Sequence, residues 1–280
     1  IVPSLFPCLF LTAAIANLNF IKKATVNAYP VSVKLFNTSG ITIYAFIMSI
    51  ICGYPIGSKI VADLKTANLI DKTEAERAAT FCSSPSPAFV LTAVGKTMFL
   101  NKTFGYILFV SGFLSAVLNG FVFSFYKKKR RPEKTNPVSF DKKVISLYDC
   151  AYSAVVSVLV IGGLITLFYL FTEILFSLGA LNPIISFFNI IFKNNDISKA
   201  FTFGLFETTS GLKTLACAGV SNITLPIASF LLQFGGLSII AQSVAFLKTA
   251  QISAFVFIAA KILQAVFGFF ICALLCVIFL

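Results

Sequence analysis

Residues 35–58 read LFNTSGITIYAFIMSIICGYPIGS. The stretch carries no charge and is long enough, as a helix, to cross a bilayer's hydrocarbon core, yet Gly53, Tyr54, Pro55 and Gly57 interrupt it. Glycine offers no side chain to hold a helix and Pro55 removes a backbone donor. The helix is therefore expected to fail over residues 52–55 and to restart as a short one near Ile56. A backbone that breaks inside hydrocarbon leaves donors and acceptors unpaired, so such a break persists only where it is buried in protein or lines a polar cavity. The stretch predicts a membrane helix and, in the same residues, a reason for a polar site.

The rest of the chain supports the membrane reading. Of its 280 residues 58% are hydrophobic and only 11% charged, with 33 Phe and a mean hydropathy of +0.94, a balance that excludes a soluble globular enzyme. Uncharged or nearly uncharged runs occupy residues 1–21, 104–126, 150–172, 174–192, 214–247 and 252–280, the last interrupted only by Lys261. An all-α polytopic membrane protein is expected. Residues 1–21 have no basic residues ahead of them and no small-residue cleavage site, so they read as a retained membrane segment rather than a signal peptide. The Phe content reads as lipid-facing bulk.

Twenty-two Lys and Arg against ten Asp and Glu give a net charge of +12. The dense basic run Lys127, Lys128, Lys129, Arg130, Arg131 and Lys134 follows the span 104–126 directly, the pattern of a cytoplasmic loop, and residues 127–143 are placed there. The remaining lysines are scattered among apolar segments, which argues against nucleic acid as a partner. There is no His, and the seven Cys form no CxxC. Neither a metal centre, a disulfide framework, a cofactor nor enzymatic chemistry is expected.

Residues 59–77 hold the densest acidic charge, four of the ten Asp and Glu, and are expected in water or at the interface. Asp71 with Glu74 reads as a capping box at a helix start. Residues 83–87 (SSPSP) interrupt the chain before 88–100, an apolar stretch of about half a crossing, with Ser86 and Pro87 as N-cap and first helical residue. Glu173 divides residues 150–172 from 174–192, which read as two segments, the second weakened by Gly179, Asn182 and Pro183.

The two ends of the chain share an order of features. A break ending in Gly57-Ser58-Lys59, a short segment, the breaker at 83–87, a half-helix to Leu100 and a full span to Tyr126 are matched by 204–213, a short segment, the breaker Gly235-Gly236, a half-helix through Phe246 and a full span to Leu280. Such architecture in transporters marks binding sites between paired broken helices near the midplane. The half-helices starting near Pro87 and Gly236 would present free amides there. The chain divides accordingly into an N-terminal membrane segment with a polar linker (1–34), a first repeat (35–126), a basic loop (127–149), connecting helices (150–199) and a second repeat (200–280).

At residues 1–7 (IVPSLFP), 53–64 (GYPIGSKIVADL), 74–82 (EAERAATFC) continuing to Pro87, 204–213 (GLFETTSGLK) and 229–242 (SFLLQFGGLSIIAQ) the sequence resembles the YlbJ family of sporulation integral membrane proteins, within the wider nucleoside-recognition or Gate-domain group. The resemblance implies two inverted Gate-type repeats with broken helices and re-entrant half-helices, and a role in spore cortex formation. It also implies a fold similar to the Gate elements of nucleoside transporters and ferrous-iron carriers. The family usually has Asn and Gly where this chain has Ser83, Ser84, Pro85 and Ser86.

The expected substrate-binding residues are Gly53, Tyr54, Pro55, Lys59, Ser83, Ser84, Ser86, Glu207, Thr208, Ser210, Lys213, Gly235, Gly236 and Gln242. Each has a plainer reading. Lys59 and Lys213 either neutralise a solute or snorkel to the interface. Glu207, an acid within apolar sequence, faces a cavity, pairs with a base or binds a proton or cation. Gln233 and Gln242 either bond a solute or tie helices together. Cys52 and Cys82 are thiols at two breaks or small buried residues. The function expected is passage of a small polar solute, nucleoside-like or a spore-maturation metabolite. The alternatives are a non-transporting scaffold for cortex assembly and a metal-ion gate. Expected partners are the bilayer and the solute, with a second copy of the chain or other sporulation membrane proteins.

Overall fold

A computed structural model describes Phe6, Phe10 and residues 19–127, 147–219 and 223–280. Every element among them is helical: α1 (Asn19–Phe36), α2 (Ile41–Cys52), α3 (Ile56–Thr66), α4 (Lys72–Phe81), α5 (Phe89–Met98), α6 (Lys102–Phe123), α7 (Leu147–Ser177), α8 (Asn182–Phe192), α9 (Asn195–Phe206), α10 (Thr208–Cys217), α11 (Thr224–Phe234), α12 (Gly236–Thr249) and α13 (Ala254–Phe279). Four stretches are long and apolar enough to cross a membrane: α6, α7, α11 together with α12, and α13. A bent pair, Ala28–Phe36 with Ile41–Cys52, turns through 82° and makes a fifth when taken as one span. The chain is a polytopic membrane protein. Residues 1–18 of the apolar segment 1–21, apart from Phe6 and Phe10, and residues 128–143 of the cytoplasmic assignment lie outside the described residues. The polar linker that precedes residue 35 is itself helical, as the end of α1.

The expected break in residues 52–55 is present. Helix α2 ends at Cys52, Gly53 takes φ +82°, and α3 starts at Ile56. The two helices fold back side by side because Gly57 has no side chain: a Cβ there would lie 2.6 Å from the Ser49 Cβ and 2.1 Å from the Cys82 carbonyl oxygen. Helices α9 and α10 make a second such pair, where a Cβ on Gly211 would stand 2.2 Å from the Gly204 Cα. The break after α4 also falls as expected. Phe89 N donates to Ser86 Oγ at 3.3 Å at the start of α5, which is wound as a π-helix.

Helix α6 buries Gly105, Leu108, Ser111, Gly112, Ser115, Ala116, Asn119 and Gly120, a stripe of mostly small residues three or four apart that lets neighbouring helices approach closely. Ser111 Oγ meets Ser229 Oγ of α11 at 3.0 Å, and Ser229 Oγ donates to the Gly268 carbonyl of α13 at 2.9 Å. Helices α6, α11 and α13 thus form the packed centre, while Phe270, Leu274 and Val277 of α13 and most of α7 face outward.

Two expectations are corrected. Residues 150–192 are not two segments divided at Glu173, because α7 runs unbroken from Leu147 to Ser177 and Glu173 is exposed on its last turns. An outward carboxylate near a helix end reaches polar surroundings without breaking the helix. The turn comes instead at Gly179, φ +73°, and α8 has only 11 residues, too few to span.

The acidic stretch 59–77 is not simply surface. Glu74, Glu76 and Arg77 are buried. Asp71 Oδ1 does cap α4 by accepting from Glu74 N at 2.7 Å, but the Glu74 carboxylate does not complete the box. It accepts from the Ser39 backbone N–H at 2.6 Å and from the Ser39 hydroxyl. Burial pushes the Glu74 carboxyl up, against the pull of those Ser39 bonds. Arg77 donates to the carbonyl oxygens of Asn37 (2.8 Å), Tyr126 (2.9 Å) and Lys127 (2.8 Å), and Glu76 pairs with Lys127 at 3.0 Å. Charged side chains are buried here because the ends of α1 and α6 offer unpaired carbonyls that only a donor-rich group can satisfy.

Candidate functional site

The helix breaks meet around one side chain of α13. Lys261, fully buried, donates from Nζ to the Ser83 carbonyl oxygen at 2.9 Å and lies 5.7 Å from the centre of the Tyr54 ring. A buried ammonium needs an acceptor, and the irregular backbone at 82–86 supplies a carbonyl that no helix uses. Gln264, almost one turn along α13, donates from Nε2 to Ser84 Oγ at 3.2 Å and to Gln233 Oε1 at 3.1 Å. Gln233 lies near the end of α11, immediately ahead of the Gly235 break. These bonds join the first-half breaks to the second half of the chain.

The remaining breaks close the ring. A Cβ on Gly53 would fall 2.8 Å from Ser86 N, so the first hairpin tip touches the 83–86 segment. A Cβ on Gly236 would fall 3.0 Å from the Gly204 carbonyl oxygen and 3.1 Å from the Phe206 carbonyl and Thr208 Oγ1, so the break before α12 touches the second tip. Glu207 at that tip lies within electrostatic range of Tyr54.

Several polar atoms in this ring have no hydrogen-bond partner among the described residues. They are the Tyr54 hydroxyl, Ser83 Oγ, Thr208 Oγ1, Gln233 Nε2 and Gln264 Oε1. Each costs roughly 1–3 kcal/mol if left unmade, and five at one junction of broken helices mark a place equipped to bond something besides itself. The space is small. A cavity bounded by Ser84, Pro85, Gly112, Phe113 and Gln233 holds about 10 Å³, enough for one water at most. The ring is closed.

The expected site residues are distributed as follows. Gly53, Tyr54, Ser83, Ser84, Ser86, Thr208 and Gly236 lie in the ring, with Pro55 and Gly235 beside them in the same breaks. Glu207, 4% exposed, uses both carboxylate oxygens to cap α10, accepting from Thr209 N at 3.0 Å and Ser210 N at 2.6 Å. Ser210 thereby serves the cap through its backbone. Gln242 is buried and donates to Ser238 Oγ of its own helix at 3.1 Å. Lys59 donates to Ser157 Oγ on α7 at 2.9 Å, tying α3 to α7, and Lys213 is exposed on α10 away from the ring.

Lys261 and Gln264 were absent from the expected set. The signal for Lys261 was the lone charge in the last apolar run, since an ionisable side chain within a span marks function by default. Gln264 follows it by three residues, on the same face of the helix. Among the described residues no group of three His, Cys, Asp or Glu side chains is close enough to hold a metal ion, and Cys52 and Cys82 are buried.

Comparison with known proteins gives one clear relative. The chain is 28% identical over 292 aligned residues to the sporulation integral membrane protein YlbJ of Bacillus subtilis (strain 168), covering 95% of this chain and 71% of that protein. The resemblance carried by the sequence motifs therefore holds along nearly the whole chain. No family model and no solved structure matches it.

Proposed function

Proceeding from this likeness to YlbJ, we propose that the chain is a sporulation-associated integral membrane protein, required for spore cortex formation, that passes a small polar solute through the ring around Lys261. The solute is nucleoside-like or a spore-maturation metabolite, and the passage involves no covalent chemistry. The observation that carries the reading is the set of unpartnered polar atoms at Tyr54, Ser83, Thr208, Gln233 and Gln264, gathered where helices stop. Irregular backbone at depth is tolerated when it lines a polar path.

Element order supports two Gate-type repeats. In each, a folded-back pair (α2 with α3, α9 with α10) precedes a helix in two parts (α4 with α5, α11 with α12) and then a full span (α6, α13). The repeats correspond to residues 35–126 and 200–280, with residues 127–199 as connection. Opening comes from one repeat rocking against the other, and it requires the Lys261–Ser83 and Gln264–Ser84 bonds to exchange for bonds to the solute.

The small cavity favours a second reading, a membrane scaffold that keeps the fold without transport. The two are separated by Tyr54→Phe and Ser83→Ala. Both remove a buried hydroxyl that makes no hydrogen bond among the described residues, so the scaffold reading expects normal insertion and normal cortex. The transport reading expects normal insertion, loss of solute-induced thermal stabilisation across a panel of nucleosides, divalent metals and cell-wall precursors, and defective cortex. Normal cortex in both variants would sink the transport reading.

A further inference from the structure

A second polar feature lies away from the ring, where the ends of α1 and α6 meet. A groove of about 500 Å³ there is bordered by Val33, Lys34, Asn37, Phe121, Ser124 and Phe125. One part of its border is apolar and outward, with Phe121 43% and Phe125 58% exposed. The other is polar: Asn37 Nδ2 donates to the Ser124 carbonyl at 3.2 Å, and Lys34 is exposed and makes no ion pair among the described residues. Helix ends carry partial negative charge at their carbonyls, which would repel an anion here, but Arg77 takes the carbonyls of Asn37, Tyr126 and Lys127 and brings a full positive charge beneath the groove. Three acids lie close by: Glu76 is offset by Lys127, and Asp71 and Glu74 act on Arg77, so Lys34 is the cation of the groove that no described acid pairs with. In sequence, Lys128, Lys129, Arg130 and Arg131 follow immediately.

We propose that this groove binds an anionic phospholipid, its headgroup phosphate held by Lys34 and its acyl chains lying along Phe121 and Phe125. The charge selects an anion and the phenyl wall selects an amphiphile over a free phosphate. Basic pockets at the ends of spanning helices recognise anionic headgroups in this way. The site is separate from the ring around Lys261, and its occupant is bilayer lipid rather than the transported solute.

Native mass spectrometry of the delipidated full chain, given equal concentrations of dioleoyl-phosphatidylglycerol and dioleoyl-phosphatidylcholine, tests it. Phosphatidylglycerol is expected to be retained at least about fivefold more, one lysine's share of the attraction. Lys34→Gln should lower its retention by about fivefold and leave phosphatidylcholine unchanged, while Lys102→Gln, at the opposite end of α6, should change neither. Equal retention of the two lipids by the unaltered chain would overturn the proposal. So would a Lys34→Gln variant that keeps the full preference, which would assign it to the basic run alone. Displacement of phosphatidylglycerol by an equal concentration of glycerol 3-phosphate would overturn it too, by showing a site for phosphate without the lipid.

Discussion

The two folded-back helix pairs are built alike and finished differently. Both close on glycine, Gly57 in the first and Gly211 in the second. At the second tip Glu207 caps α10 through two backbone amides. At the first, α3 starts at Ile56 after Pro55 without a side-chain cap, and the neighbouring Tyr54 keeps its hydroxyl unpaired near Lys261. The second tip uses its acid on its own helix and leaves the Thr208 hydroxyl unmet, whereas the first leaves a hydroxyl unmet beside Lys261, where a solute has something to gain. The contrast shifts attention from Glu207, an acid within apolar sequence, to Tyr54.

The largest effect that would sharpen the comparison is on packing. Gly211→Ala sets a Cβ against backbone that cannot give, and should lower stability in detergent by about 3 kcal/mol, read as a drop in the unfolding midpoint. A midpoint unchanged from the parent chain would mean that α9 and α10 do not close as described. Next, Glu207→Ala should cost about 1–2 kcal/mol as a lost cap, and Glu207→Gln, which keeps an acceptor oxygen, under about 1 kcal/mol. Strong loss of solute binding in Glu207→Gln at unchanged stability would return Glu207 to the site and break the contrast.

At the first tip the order inverts. Tyr54→Phe should leave stability within about 0.5 kcal/mol of the parent or slightly raise it, while solute binding measured by thermal shift is lost. The smallest effect is expected at Lys213→Gln, an exposed change off the ring, which should alter neither stability beyond about 0.5 kcal/mol nor binding.

What could be read from sequence follows from what each residue does to the chain locally. Gly53 with Pro55, and Ser86 with Pro87, stop and start helices by their own backbone chemistry, so both first-half breaks were visible. Gly235 and Gly236 were visible for the same reason, both adopting positive φ. Charge was a poorer guide, because its meaning depends on partners that sequence does not place. Glu173 looked like a boundary and is an exposed residue on a continuous helix. Glu74 and Arg77 looked solvated and are buried against Ser39 and against carbonyls as far along the chain as Lys127. Lys261 passed as an interruption because its acceptor, the Ser83 carbonyl, lies 178 positions away.

The claim on which the account rests is that the ring around Lys261 opens to water in the working protein. Ser83→Cys, in a chain whose native cysteines are replaced, can be exposed in membranes to a membrane-impermeant thiol reagent, with Lys213→Cys as the exposed comparison. The account predicts that the thiol at position 83 is labelled from at least one side of the membrane. Complete protection from both sides, with full labelling at position 213, would contradict it.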